Sequence, residues 1–227
     1  MSLQSTTSEW IIDMTLDRAS NAHGTNTTID STVAEVIPLS SLDVTSWRNG
    51  GGTTRRIAAG CGGHEPDWAL SLADIEKRSA FSTFAGVDRA AVVVGDDPVD
   101  MTINGTSRTL GLLDRVSFAG EDDVEAGPVR GATYLLNLMT RRGVVVGALN
   151  LRHIRGRVAV GPGNGRAWVV LTGALRVNGA ELCRWDTVLL GRQRNEISGA
   201  ATVAVVHISS SADVVRRSPI NDEESPA

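Results

Sequence analysis

The chain has 227 residues, enough for one large or two small domains, with 41% apolar and 21% charged residues. A formal net charge of −4 offers no general attraction to nucleic acid or to an anionic membrane, and no run of about 18 apolar residues predicts a membrane span. Cys61 and Cys183 form no C-x-x-C pair, which excludes a zinc ribbon or a disulfide-dense scaffold. With no basic-then-apolar leader visible, a cytoplasmic location is expected.

Residues 1–30 are rich in Ser, Thr, Asn and Asp and read as a loose N-terminal extension, with Trp10-Ile11-Ile12 as a small apolar spot. Short β-type runs then follow at 33–39, 53–59, 67–75, 90–94, 99–103, 114–119, 133–140, 157–160, 167–171, 174–177, 186–190 and 202–208, punctuated by Gly, Asn and Asp. A short helix is predicted around 76–80, and 210–227 reads as a loose acidic tail. Closely spaced strands without amphipathic helices between them predict an all-β sandwich or barrel.

An internal repeat divides this β region. Val92-Val93-Val94-Gly95, Ile103-Asn104-Gly105 and Asp114-Arg115-Val116-Ser117-Phe118 recur as Val169-Val170-Leu171-Thr172-Gly173, Val177-Asn178-Gly179 and Asp186-Thr187-Val188-Leu189-Leu190. Asn-Gly accepts the positive φ of a tight hairpin, and an Asp opening a strand caps the turn before it. Two β lobes are therefore predicted, at 31–147 and 148–209. The first carries the longer loops, so a site belongs mainly there.

A transition-metal site at the mouth of a β barrel can be built from a strand-borne His-x-His pair, a Glu and a further His, because alternate residues point into the mouth together. Here His23, His64, His153 and His207 show no such spacing, and His153 lies among Arg152, Arg155 and Arg157, which disfavour a cation. No metal and no cofactor is predicted. A Gly-x-Ser-x-Gly elbow is absent, and the glycines at 50–52 precede a strand without the Lys of a nucleotide loop.

Four stretches carry candidate binding groups. Trp47-Arg48-Asn49-Gly50-Gly51-Gly52-Thr53-Thr54-Arg55 places an aromatic, an amide and hydroxyls around a glycine turn, as a pocket edge or as a plain hairpin with a packed tryptophan. In 67–75, Trp68, Leu70 and Leu72 share one face while Ala69, Ser71 and Ala73 leave room on the other, for a ligand or for a second sheet. Asp88 and Arg89 follow Phe81 to Val87 and point to opposite faces if extended. Asn137 precedes Arg141 and Arg142; Asn137, Arg89 and one of these arginines would together form an anion pocket, with Arg142 read as a surface group.

Taken in order, these stretches resemble the HutD/Ves family. The shared pieces are W-[KR]-N-G-G-G-x-T-R at 47–55, D-W-x-[LV]-S-[LI]-A-x-I at 67–75, F-S-x-F-x-G-x-D-R at 81–89, F-x-G-E at 118–121, Gly127-Pro128 and N-x-M-x-R-R-G at 137–143. The resemblance implies a double cupin (bicupin), a cytoplasmic setting, a link to histidine utilisation and no established catalysis. It also implies a small carboxylate ligand, such as urocanate or a formylated intermediate, and the residues expected to bind it are Trp47, Asn49, Thr54, Arg55, Ser71, Asp88, Arg89, Asn137 and Arg141. The chain departs from the pattern where Arg56 stands for a glutamate, Ala69 for an arginine, Ala85 for a proline and Leu135 for an acidic residue.

The expected function is metal-independent binding of a small carboxylate or other anion. The alternatives are an isomerase or hydrolase with Asp88 as general base and Arg89 as electrostatic stabiliser, and a protein-interaction module. A homodimer is a further possibility, with no nucleic-acid or membrane partner.

Overall fold

The computed structural model describes residues 33–60, 66–163 and 165–212. The extension at 1–30, Cys61, His64 and the tail from 213 lie outside the described residues. In chain order the strands are β1 (Glu35–Ile37), β2 (Thr45–Ser46), β3 (Gly52–Gly60), β4 (Trp68–Ile75), β5 (Ser79–Ala80), β6 (Val87–Val93), β7 (Val99–Ile103) and β8 (Thr106–Leu110). There follow β9 (Arg115–Ala119), β10 (Val124–Pro128), β11 (Thr133–Arg141), β12 (Val145–Val160), β13 (Ala167–Val177), β14 (Ala180–Leu182), β15 (Thr187–Leu189) and β16 (Asn195–Ser210).

They form three antiparallel sheets. A central sheet runs β2-β3-β4-β11-β6-β9, a four-stranded sheet β5-β10-β7-β8, and a third sheet β1-β15-β13-β16-β12 with β14 added to β13. Strand alternation decides what each face of the central sheet covers. Trp68, Leu70, Leu72, Val92, Leu136 and Leu138 pack against Leu149, Ala167, Val169, Leu171, Ala204 and Val206 of the third sheet. Ala73, Ile75, Ala91, Val93 and Leu135 face Val99, Met101, Val124 and Ala126 of the four-stranded sheet. The first lobe is thus a two-sheet sandwich, and its outer face is the floor on which the second lobe sits.

The second lobe closes by bending its own sheet. Trp168 and Val170 from the start of β13 share one cluster with Leu175 and Val177 from its end, joined by Ile197 and Val203 of β16. The turn comes at Gly173 (φ +76°) on β13 and Gly199 (φ +137°) on β16, beside a register shift between Val170 and Thr172. A Cβ at Gly173 would run into the Ala200 carbonyl, and one at Gly199 into the Ala174 carbonyl. Only glycine combines that backbone with that approach.

The sequence repeat is also a repeat of hydrogen bonds. Asn104 and Asn178 have φ of +48° and +49°, and Leu113 and Trp185 have φ of +70° and +72°. Asn104 Oδ1 accepts the Asp123 N–H at 3.0 Å, and Asn178 Oδ1 the Glu196 N–H at 2.9 Å. Leu113 N–H donates to Val93 O, as Trp185 N–H does to Val170 O. The Asp114 carboxylate caps the Gly111 N–H at 2.8 Å and Asp186 the Cys183 N–H at 2.9 Å. Asp186 does more, because its other oxygen accepts the Leu39 N–H at 2.8 Å across 147 residues. Asp186→Ala should therefore cost about 2–4 kcal/mol and Asp114→Ala about half as much, at about 1–2 kcal/mol for each of these partly exposed hydrogen bonds. Urea denaturation of the two variants side by side checks the ratio.

Several predicted elements differ. Residues 76–80 form no helix; Ser79–Ala80 pairs with β10 as an edge strand. Strands β8 and β10 escaped the apolar pattern because β8 is exposed at four of five positions and β10 carries Glu125, Gly127 and Pro128. The runs 167–171 and 174–177 are one bent strand, β13. Residues 35–37, assigned by sequence to the first lobe, are hydrogen-bonded to β15 in the second lobe's sheet.

Candidate functional site

The glycine turn is built by its own amide. Asn49 Oδ1 accepts the Gly51 N–H at 2.9 Å, and its Nδ2 donates to Ala80 O at 3.1 Å, stapling the turn to β5. Gly50 takes φ +66°, and a Cβ at Gly52 would overlap the Asp74 carbonyl. This holds β3 tightly against β4 and delivers Trp47, whose indole N–H donates to Thr54 Oγ1 at 2.7 Å.

From Trp47 an aromatic chain runs into the first lobe. Phe81 meets Trp47 edge-on, with centroids 6.1 Å apart, and Phe118 lies 6.4 Å beyond. The Arg89 guanidinium sits 4.9 Å from the Phe81 and Phe118 ring centroids and 5.7 Å from that of Phe84. Three ring faces hold the cation by their quadrupoles. Arg89 Nη1 also reaches Ser82 O at 3.4 Å.

Ladder register shows which side chains share this face. Arg56, Ser71, Asn137 and Ala91 form one row across β3, β4, β11 and β6. The next row contains Ala59, Ala69, Met139, Arg89 and Phe118. Small residues at 59, 69 and 71 leave a low floor between Arg56 on one side and Arg89 on the other, while Ala73 and Ala91 pack against the four-stranded sheet. Asn137 stands between them, 6% exposed. Arg141 continues the same face of β11, 3.7 Å from the Asp67 carboxylate.

The arrangement sorts the expected site residues. Trp47, Thr54, Ser71, Arg89, Asn137 and Arg141 fall on the interior side, and Asn49 is occupied in the turn. Arg55 and Asp88 lie on the opposite face, a correction with one cause: adjacent residues on a strand point opposite ways. Arg55 pairs in register with Leu72 and interacts with Asp74 beside Tyr134. Burial, followed by Glu76, raises the Asp74 carboxyl above its ordinary range. Asp88 binds Arg142 at 2.7 Å on the surface, on the face opposite the Arg89 guanidinium. Arg56, Phe81 and Phe118 were not among the expected residues. The alternation of β3 could have indicated Arg56, since Thr54 and Arg56 share a parity.

Arg142 is a clasp at the rim. It donates to Glu121 at 3.0 Å, and Glu121 also accepts the Gly86 N–H at 2.6 Å. These bonds hold the Glu121 carboxyl at about 2, well below the usual 4.5. A depressed acid favours the fold above its unfolded pKa, and that contribution disappears as pH falls through the folded one. The loop at Gly86 should therefore loosen between about pH 4.5 and 2. A carbon-detected NMR titration should place Glu121 near the lower value, and Arg142→Gln should move it upwards.

Elsewhere the structure offers less. The second lobe's interior is filled by Trp168, Val170, Leu182, Ile197 and Val203. His153 Nδ1 is within 2.9 Å of Thr202 Oγ1. Among the described residues no three His, Cys, Asp or Glu side chains gather to hold a metal ion, and no helix is long and apolar enough to cross a membrane. Two open grooves of about 350 Å³ follow the lobe boundary. One lies between Asp96, Asp97, Arg130, Tyr134 and Trp185, where Arg184 pairs with Asp96 and Arg130 with Asp97. The other touches Asp88, Arg89, Phe118, Leu138 and Thr140.

Comparison with known proteins agrees with this architecture. A 21.2 kDa protein in the hutC 3′ region of Pseudomonas putida is 40% identical over 96 residues, 41% of this chain and 50% of that protein. Protein Ves of Cronobacter sakazakii is 33% identical over 110 residues, 48% of this chain and 61% of Ves. The chain thus spans about half to three-fifths of these curated relatives. The structure of HutD from Pseudomonas fluorescens SBW25, in a formate condition, superposes with a TM-score of 0.66 at 22% identity, covering 78% of this chain and all of that one. A cupin 2 conserved barrel domain protein from Leptotrichia buccalis gives 0.54 at 13%, over 78% of this chain and 97% of that one, so the fold is a double cupin. The HutD family pattern itself matches residues 40–206, and the chain belongs to the HutD family.

Proposed function

We propose that the interior of the first lobe binds a small carboxylate, and that the protein modulates histidine utilisation by binding it rather than by turning it over. The observation that carries this reading is the Arg89 guanidinium, held among three phenylalanines on the same face as the buried Asn137. A planar guanidinium in an apolar frame matches a planar carboxylate, and low local polarity strengthens the bond. Arg56 and Arg141 on the same face add positive potential.

Support for the pathway comes from relatives: one lies in the hutC 3′ region, and a HutD structure was obtained in a formate condition. Urocanate and formylated intermediates have the required carboxylate. Against catalysis stands the position of Asp88, across the sheet from Arg89. Thermal denaturation with formate, urocanate, formylglutamate and histidine tests the proposal. A ligand at a hundred times its Kd stabilises by about 2.7 kcal/mol. No shift with any of them at millimolar concentration overturns it, and so does consumption of the bound compound.

A further inference from the structure

Asn137 is a buried polar side chain on the pocket face, 6% exposed, and half of its amide is left over. Nδ2 donates to the Leu135 carbonyl at 3.3 Å, while Oδ1 is buried and accepts no hydrogen bond. The carbonyl determines which way the amide points, because turning it over would set oxygen against oxygen. Ser71, directly across in register, leaves Oδ1 unsatisfied. A buried acceptor without a donor is costly, and native proteins rarely keep one without a use.

We infer that the ligand of this pocket carries an N–H or O–H donor for Asn137 Oδ1 in addition to its carboxylate. This rests on the carboxylate reading and narrows it. A carboxylate alone cannot satisfy Oδ1, since both are acceptors. The two groups of the ligand are therefore separated, with the carboxylate at Arg89 and the donor at Asn137. Arg89 is the diagonal neighbour of Asn137 across the β11–β6 ladder, a separation of roughly 7–8 Å between side-chain origins. Arg89 bridges much of that distance, so a few bonds between carboxylate and donor suffice. Hydroxy, amino and amide-bearing acids fit; a bare aliphatic acid does not.

Calorimetric titration of the full chain with propionate, lactate, 3-hydroxypropionate and the O-methyl ethers of the two hydroxy acids decides the matter. One hydroxy acid is expected to bind about ten-fold more tightly than propionate, its ether should lose that gain, and Asn137→Leu should equalise all five. Equal affinities on the wild-type chain, or ethers as good as their parents, overturn the donor and leave the carboxylate site standing. Failure of every acid to bind overturns both. A hydroxyl gain that persists in folded Asn137→Leu shows that the donor meets another residue. Should that variant not fold, the wild-type series alone still decides whether a donor is required.

Discussion

Replacing Arg89 with methionine should abolish carboxylate binding while leaving the fold intact. Removing one partner of a desolvated, hydrogen-bonded charge pair costs about 2–5 kcal/mol, so affinity should fall by at least about 30-fold. The fold has little reason to suffer. Methionine occupies a similar volume, adapts its shape, and makes favourable contacts with Phe81, Phe84 and Phe118. It also removes a half-buried charge, a change often neutral or stabilising when the replacement packs well. Arg89→Lys should retain the charge but not the planar fork or the stacking, and should recover only part of the binding. Titration calorimetry with formate and a thermal melt of each variant provide the readouts. Wild-type affinity in Arg89→Met would remove Arg89 as the anchor.

The largest stability effect is expected from Leu136→Ala. Leu136 is 0% exposed and lies in the core shared by both lobes. Truncating a buried leucine costs about 2–5 kcal/mol, with the upper end reached where the surroundings cannot collapse into the cavity. Sheets on both sides hold this site rigid. Because the central sheet is the wall of one lobe and the floor of the other, the loss should destabilise both together. Urea unfolding followed by tryptophan fluorescence and by far-ultraviolet circular dichroism should give coincident transitions, shifted equally. Two separated transitions, only one of them moved, would show that the lobes are held independently.

The interior site was partly legible in the sequence. Ser71, Arg89 and Asn137 were identifiable because alternation along β4, β6 and β11 is regular, and small residues marked the open face. Arg55 and Asp88 were grouped with them on proximity in the chain, which a strand defeats at every step. Arg56 stood out in the sequence as a change of charge from the family pattern, but its place in the row with Ser71 and Asn137 depends on the register of β3 and the bulge after it. The phenylalanines around Arg89 come from β9 and from the segment after β5, and no local pattern relates them. Asn49 had the look of a ligand group and is instead the staple of its turn.

By itself the sequence determined the all-β class, the duplication and its turn chemistry, since Asn-Gly and the capping Asp act within a few residues and mean the same in either lobe. It also determined which strand faces are apolar. Tertiary structure alone decided that β1 crosses to the second lobe, that β13 and β16 bend at Gly173 and Gly199, and that Asn137 keeps an unsatisfied oxygen inside the first. Those features depend on partners dozens of residues away, and register between distant strands is settled by packing and hydrogen bonding that no local run of residues specifies.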